Sequence, residues 1–464
     1  MISSRQRYVA VALALLWIAL RIPQFAAPFS FDWDSSQYAR GIAEFNVIQH
    51  QPHPPGYPLW VFSARALTPL TGGPMQAQIL LAFLMSLLGL AVFHALARRI
   101  LEGPAALTCT LLLAFSPGIA LNSSIPSSSI VDLVSSSVAG YLAFLDPRRR
   151  PWRIVACMVG LAALAGFRQS GLGLLAPLVV YAALIHWRYA WRAVSIGAIL
   201  GLLVFLAWYV PLAQSVGGWR VLSELTSKQF RDAAQGSSVF FGGPARTHLG
   251  MLATAAIYFA MNLGAWLLGF GVTFRWRGKT VPAWWRYALW MAPMLIMITA
   301  VHVARIGHCL LIFPPLLLLC ALVGRVRLPA AIAGVILSLA ISYFPYGRFQ
   351  YSKLWPLNYI FYRSTPRMAL DLEASQRNLD HTLRALRSAP QPFVCARDLP
   401  EAPNIRTVTY DFAYVNWVLP AAAPASRSIW LFDQRGPTAE LRRRFREWRL
   451  IMGDELISLW EATP

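Results

Sequence analysis

Charged residues are scarce in this sequence. They make up 13% of its 464 residues while hydrophobic residues reach 57%, against about 25% and about 45–50% in soluble domains. A chain of this length with so little polar surface cannot cover a water-soluble globule of two or three domains. The composition therefore excludes a soluble protein and indicates a polytopic membrane protein.

Acidic residues and lysine are the scarcest charged types. The chain has 41 Lys+Arg against 20 Asp+Glu, a formal net charge of +21, and its lysines are Lys228, Lys279 and Lys353. A basic balance often indicates nucleic-acid binding, but in so apolar a chain it favours arginine-rich cytoplasmic loops facing anionic lipid. We expect a membrane partner and no nucleic acid.

Paired cysteines are also missing. The five cysteines form no Cys-x-x-Cys pair, and four of them lie in or beside apolar runs. Neither a disulfide framework nor a zinc site is indicated. No set of His and Asp ligands stands out either, so no metal is expected.

Long apolar runs are abundant instead. A membrane-spanning helix needs about 20 apolar residues, and eleven runs approach or exceed this length. They are 8–22, 75–97, 105–121, 125–145, 152–167, 171–187, 191–213, 249–274, 284–303, 309–323 and 328–344. The first has a poor cleavage site after it, so we interpret it as an uncleaved anchor rather than a signal peptide.

The basic residues predict the orientation. With a cytoplasmic N-terminus, sixteen of them fall on the cytoplasmic side of the predicted spans and nine, before residue 346, on the opposite side, where the loops are longer. The preference for Arg over Lys hints at a GC-rich bacterial genome. We therefore expect a multi-pass protein of a bacterial inner membrane whose long loops and C-terminal tail are extracytoplasmic.

The predicted spans define two domains. A transmembrane domain is expected over residues 1–345, with outer loops at 23–74 and 214–248, and a small soluble α/β domain over 346–464. In this second domain, the residue patterns predict helices at 368–387 and around 438–448, and strands at 392–396, 407–412, 428–432 and 456–460.

The first outer loop carries the most informative stretches. They are Phe31-Asp32-Trp33-Asp34-Ser35-Ser36-Gln37-Tyr38 and His53-Pro54-Pro55-Gly56-Tyr57-Pro58-Leu59. Apolar residues share one helix face after each stretch, Tyr38, Ile42 and Phe45 in the first case and Trp60, Ala64 and Leu67 in the second. Two short amphipathic helices at the membrane surface are predicted, with the two carboxylates at the mouth of the bundle.

Asp34 and His53 each have a second interpretation. Asp34 and Gln37 have the spacing of a capping box, and helix capping explains Asp34 about as well as chemistry does. The two roles are compatible, because a cap also fixes the direction of the carboxylate. His53 can equally be a simple hydrogen-bonding residue in a stiff turn, which is the commoner role of a single loop histidine.

Two arginines lie where charge is costly. Only sixteen residues of span precede Arg168, which leaves it near or slightly below the outer surface, and Arg305, followed by His308, repeats the pattern between two later spans. Such charges are usually paired or functional; alternatively, both side chains reach out to the interface. Asp132, near the outer end of its span, is a plausible partner for one of them.

This arrangement suits one reaction class. A lipid-linked phosphosugar places its phosphate at head-group depth and its sugar in water. An arginine stabilises the charge that develops on the departing phosphate, and a carboxylate accepts the proton of the incoming hydroxyl.

Residues 34–38 followed by 53–59 resemble the signature of a membrane family of the GT-C glycosyltransferase superfamily, an Asp-Ser-Gly-Glu-like box followed by HPPGYPL, which includes transmembrane O-mannosyltransferases. Arg305–Leu319, with Phe313-Pro314-Pro315, is similar to a late segment of relatives that transfer aminoarabinose or mannose. The resemblance covers about residues 1–345 and leaves the tail unexplained. Gln37 departs from the signature, which has Glu at that position.

The resemblance implies a GT-C-like fold and an inverting glycosyltransferase that takes its sugar from a polyprenyl-phosphate donor without a metal or other cofactor. Asp34 stands at the position of the catalytic Asp. The expected substrate-binding residues are Asp32, Gln37, Tyr38, His53, Tyr57, Arg168, Arg305 and His308.

The sequence leaves the identity of the sugar open. It also leaves open whether the acceptor is a lipid, a glycan or a protein. A flippase of lipid-linked sugars and a non-catalytic envelope-assembly protein are the alternatives, but charges clustered at the outer rim count against transport.

Overall fold

A computed structural model describes residues 4–25, 33–271, 283–302, 306–324, 328–344, 366–367, 393–396, 415–416, 429–432, 447–453 and 458–463. Helices form most of the described residues up to 344, and the described residues beyond 392 lie in strands. The prediction of a mostly helical chain is confirmed, whereas the small α/β domain at residues 346–464 stays a prediction.

The helices are α1 (Ser4–Ala19), α2 (Ile22–Phe25), α3 (Trp33–Ala43), α4 (Pro58–Thr71), α5 (Pro74–Ile100), α6 (Gly103–Phe115), α7 (Pro117–Asn122), α8 (Val131–Ala143), α9 (Trp152–Phe167), α10 (Gln169–Ser215), α11 (Trp219–Ser237), α12 (Ala245–Gly269), α13 (Trp284–Ile296), α14 (Phe313–Val323) and α15 (Leu328–Tyr343). Short 3-10 turns occur at Val47–Gln49, Ser128–Ile130, Val239–Phe241 and Ile306–Leu311.

Each of the eleven predicted apolar runs contains helix within the described residues. Two of them form the single long helix α10, whose axis bends at Ala190 (φ −149°, ψ 45°). Among the described residues, α5, α10 and α12 are long and apolar enough to cross a membrane. The helical runs are thus confirmed, whereas the number of spans stays a prediction.

Apolar side chains also cover the outside of the bundle. On α10, Ile199, Leu202, Leu203 and Leu206 form one exposed stripe, with Ile199 60% exposed. Water-soluble proteins rarely expose contiguous apolar surface of this kind. A hydrocarbon surrounding therefore fits the bundle better than water.

The two predicted surface helices are α3 and α4. Their predicted apolar faces are buried, as Tyr38 and Ile42 on α3 and Trp60 on α4 show. Arg65 of α4 donates to the carbonyl oxygens of Gly41 (2.9 Å) and Ile42 (2.6 Å), which satisfies acceptors at the C-terminal end of α3. The second outer loop, predicted only as polar, is largely the helix α11.

The turn between α3 and α4 is set by its residue types. The Gly56 N–H donates to the His53 carbonyl oxygen (3.0 Å). Gly56 has φ +104° and Tyr57 has φ +46°, so the chain reverses through the left-handed region. Pro58 then begins α4, where its missing N–H costs nothing. The stiff turn predicted from the His-Pro-Pro-Gly-Tyr-Pro run is confirmed.

Five strands form one sheet in the C-terminal part. They are β1 (Phe393–Ala396), β2 (Val415–Asn416), β3 (Ile429–Phe432), β4 (Glu447–Gly453) and β5 (Ser458–Thr463), in the order β2-β1-β3-β5-β4. β1 is parallel to β2 and β3, while β5 is antiparallel to β3 and β4.

Three predicted strands are confirmed here as β1, β3 and β5. The helix expected around 438–448 is wrong at its end, because Glu447 and Trp448 begin β4 and pair with Thr463 and Ala462; this pairing outweighs local helical preference. The predicted strand 407–412 and helix 368–387 lie outside the described residues.

The packing around Gly56 gives a stability prediction. A Cβ at Gly56 would lie 2.9 Å from side-chain atoms of both Leu212 and Val47, whereas one at Gly72 (φ +80°), after α4, would contact nothing within 4 Å. Gly72→Ala should cost about 1–2 kcal/mol for the left-handed backbone alone. Gly56→Ala should cost about 1–3 kcal/mol more through overpacking. Thermal unfolding of the purified variants measures both, and equal losses would contradict this packing.

Candidate active site

Asp34 lies in the first turn of α3 beside the turn that precedes α4. Its side chain is 23% exposed, and one carboxylate oxygen, Oδ1, lies 3.6 Å from Nδ1 of the more deeply buried His53. The same Nδ1 donates to Oε1 of Gln37 at 2.7 Å. The motif residues Asp34, Gln37 and His53 therefore meet at one point, with the carboxylate still reachable from solvent.

Gln37 thus has a partner that the capping-box pattern does not predict. α3 begins at Trp33, one residue before Asp34, and the Gln37 amide oxygen is engaged by His53. His53 is a hydrogen-bonding turn residue, as one interpretation expected, and it also adjoins the carboxylate.

Tyr38 and Tyr57 form an aromatic wall next to His53. Their ring centroids lie 5.2 Å apart in an edge-to-face arrangement, and the His53 ring is 5.0 Å from that of Tyr57 and 5.9 Å from that of Tyr38. Tyr38 is 1% exposed, and burial raises the pKa of its hydroxyl well above the usual value. Tyr38 therefore stays neutral.

Ser128 joins this wall to Arg168. Its hydroxyl oxygen lies 2.9 Å from the Tyr38 hydroxyl and accepts from Arg168 Nη1 at 3.0 Å. Arg168 is 5% exposed, and its Nε donates to Oδ2 of Asp132 at 2.8 Å. The predicted partnership of Asp132 is confirmed for Arg168, and the alternative that this arginine only reaches out to the interface does not hold.

The helix directions explain why these groups converge. Asp132 lies in the first turn of α8, and Arg168 immediately precedes α10, so both helices begin at this cluster. α5 also begins nearby, since Gln78 donates to the Ser35 carbonyl oxygen (3.3 Å). Helix N-termini carry partial positive charge and favour anions, so the cluster suits a bound anion.

The described part of the second predicted arginine segment, residues 306–308, packs against the 3-10 turn Ser128–Ile130. Gly307 lies against Ser129 and Asn122, with an added Cβ 3.0 Å from the Asn122 amide oxygen. His308, half-buried, follows in the 3-10 turn that begins at Ile306. Arg305 and Asp32 lie outside the described residues, so their predicted roles stay predictions.

Sequence reasoning missed Ser128 as a site residue. A signal was available, since Ser127–Ser129 is a polar run at the start of an apolar span. Within the described parts of the chain, no group of three or more His, Cys, Asp and Glu side chains could hold a metal ion.

The Arg168–Asp132 pair gives a second prediction. Arg168→Met leaves the Asp132 carboxylate buried without its cation, which typically costs about 3–5 kcal/mol. Arg168→Met with Asp132→Leu removes both charges and should regain most of this loss. Thermal unfolding distinguishes the variants, and a double variant no more stable than the single one would contradict a direct charge pair.

Part of the sequence resembles a known protein family. Residues 52–213, about a third of the chain, match the family model described as dolichyl-phosphate-mannose-protein mannosyltransferase. No curated protein sequence matches the chain. The matched segment contains His53, Tyr57, Ser128, Asp132 and Arg168.

Two solved structures are similar over nearly the whole chain. ArnT from Cupriavidus metallidurans bound to undecaprenyl phosphate is 13% identical, with 97% of each chain covered and a TM-score of 0.59. ArnT from the same organism in the apo state is 14% identical, with 98% of each chain covered and a TM-score of 0.51. The resemblance to the GT-C superfamily that the motif predicted is confirmed by this family match and by these structures, and the chain shares its fold with the two ArnT structures.

Proposed function

We propose that this protein is an inverting glycosyltransferase that moves a sugar from a polyprenyl-phosphate donor to an acceptor on the non-cytoplasmic face of the membrane. One observation carries the proposal. The carboxylate of Asp34 and the guanidinium of Arg168 belong to one continuous set of contacts through His53, Tyr38 and Ser128. A proton acceptor and a phosphate ligand therefore lie on the same side of the bundle.

Asp34 acts as the general base. Its carboxylate is partly exposed and can accept the proton of the acceptor hydroxyl as that oxygen attacks C1 of the sugar. The bond from C1 to the phosphate oxygen breaks on the opposite side, so the anomeric configuration inverts. His53 and Gln37 hold the surroundings of the carboxylate in place. Because the Gln37 side chain is neutral, Asp34 is the base among residues 34–37.

Arg168 stabilises the departing polyprenyl phosphate. Asp132 and Ser128 fix the plane of its guanidinium and use two of its five N–H donors. The remaining donors and the N-termini of α8 and α10 stabilise the negative charge that grows on the phosphate. Arg305 and His308 contribute from the adjoining segment, and Asp32 and Tyr57 frame the sugar. The lipid phosphate bound in the similar ArnT structure supports this donor class.

The tail from residue 346 to 464 is assigned to the same, extracytoplasmic side. This follows from the predicted count of eleven spans with a cytoplasmic N-terminus. In this position its sheet is available to the acceptor or to a partner protein.

Removal of the base gives the central functional prediction. Asp34→Asn should lower sugar transfer by about 10²–10⁴-fold, the usual contribution of a general base, while protein abundance and donor binding stay nearly intact. Glu44→Gln, a matched change of an exposed carboxylate just after α3, should keep full activity. Transfer from a radiolabelled polyprenyl-phosphate sugar measures both, and full activity of the Asn variant overturns the role of Asp34.

The stable double variant tests the role of Arg168 separately from folding. Arg168→Met with Asp132→Leu should bind the donor more weakly and transfer little sugar even where its unfolding temperature is restored. Donor binding and turnover of the purified protein check this. Normal turnover in that variant would restrict Arg168 to a structural role.

Reconstituted vesicles distinguish the alternatives. A glycosyltransferase forms a new glycosidic bond, whereas a flippase moves labelled lipid across the bilayer without one. A non-catalytic assembly protein gives normal envelope glycans with Asp34→Asn, provided that the protein accumulates.

A further inference from the structure

A second arginine cluster lies at the other end of the helical bundle from Asp34. Arg99 lies in the last turn of α5 and Arg153 in the first turn of α9, and together with Arg149, Arg150 and Asp146 they line a cleft of about 400 Å³. α9 runs from Trp152 to Phe167, the residue before Arg168, which separates the two ends of the helix by about 22 Å at 1.5 Å per residue. This cleft is therefore distinct from the candidate active site.

Two guanidinium groups converge on one neutral oxygen in this cleft. The Tyr141 hydroxyl accepts from Arg153 Nη1 at 2.7 Å and from Arg99 Nη2 at 3.1 Å. Both arginines are half-buried, and neither makes an ion pair with a residue that the structure describes. Two like charges around one uncharged acceptor repel each other and gain from an anion between them.

Asp146 does not neutralise this charge. It pairs with Arg149 at 3.3 Å, and the two side chains are 46% and 87% exposed, so water screens their attraction. The lining holds four arginines and one aspartate, a formal charge of 4 − 1 = +3. This charge favours the binding of an anion.

Exposed aromatic side chains lie beside residues that line the cleft or adjoin its lining in sequence. Trp152 adjoins Arg153 and is 61% exposed, and Tyr189 and Trp191, at the bend of α10, are 54% and 55% exposed. Arg148 lies over the Tyr189 ring, 4.5 Å from its centroid. The bend of α10 therefore contacts the loop between α8 and α9, which carries Arg149 and Arg150. Trp and Tyr concentrate at the head-group level of membranes, so the cleft opens at that depth.

We propose that this cleft binds the phosphate head group of an anionic membrane lipid. Arg99 and Arg153 donate to the phosphate oxygens, because the guanidinium fork suits phosphate geometry, and Arg149 and Arg150 close the rim. The aromatic belt at this end favours a lipid over a free phosphate. Basic pockets between helices on the cytoplasmic side, the side predicted for this end, suit such head groups.

The test uses the full-length protein in a neutral detergent. Native mass spectrometry measures the binding of phosphatidylglycerol, of phosphatidylcholine and of inorganic phosphate. The wild type should retain phosphatidylglycerol in preference to phosphatidylcholine. Arg99→Gln with Arg153→Gln should weaken phosphatidylglycerol binding by about tenfold or more, since two charge-assisted hydrogen bonds are lost.

The matched control is Arg98→Gln with Arg192→Gln. It removes the same charge at the same end from side chains that do not line the cleft, and it should leave lipid binding essentially unchanged. Equal loss in the two double variants, no preference of the wild type for the anionic lipid, or displacement of the lipid by millimolar inorganic phosphate would each overturn the proposal. If the cleft variant fails to elute as a monodisperse species, the lipid preference and phosphate competition of the wild type decide the matter alone.

Discussion

The buried contact between Arg168 and Asp132 is the constraint on which the rest of the site depends. Taking two charges out of water costs several kcal/mol per ion, and only close, well-aligned pairing offsets this. At 2.8 Å the pair meets that condition only while the beginnings of α8 and α10 stay adjacent. The pair therefore fixes the relative position of the helices that frame the proposed phosphate site.

This constraint extends to Asp34, the proposed base, through Ser128 and the aromatic wall. Tyr38 is fully buried against Ser128 on one side and Tyr57 on the other, so α3 cannot rotate without breaking these contacts. Asp34 is four residues before Tyr38, about one helical turn. The direction of the carboxylate is thus set from the membrane side of the site, which is the preorganisation that catalysis needs.

Much of this could be predicted from the sequence because the signals are local. Apolar runs reveal the helices, and the residue types of 53–58 dictate a turn with Gly56 in the left-handed region. Arg168 stood out because its span is too short to place it in water. Asp132 could be predicted as a partner of an arginine only because few acidic residues of the sequence lie near the end of a predicted span.

The remaining contacts of the site and the strand pairing in the tail depend on long-range packing. No local pattern in a single sequence indicates such packing. Nothing near Gln37 shows that His53, sixteen residues away, engages its amide. Ser128 meets Tyr38 across 90 residues, so a serine run at the start of a span carries no sign of its partners. In the tail, Glu447 and Trp448, at the end of the predicted helix 438–448, instead pair with β5.

The most direct test of the account is an experimental structure of the protein with undecaprenyl phosphate bound. The account predicts the phosphate within hydrogen-bond distance of Arg168, near the beginnings of α8 and α10, with the Asp34 carboxylate facing the position of the sugar. A phosphate bound away from Arg168, or an Asp34 carboxylate turned away from it, would contradict the central claim.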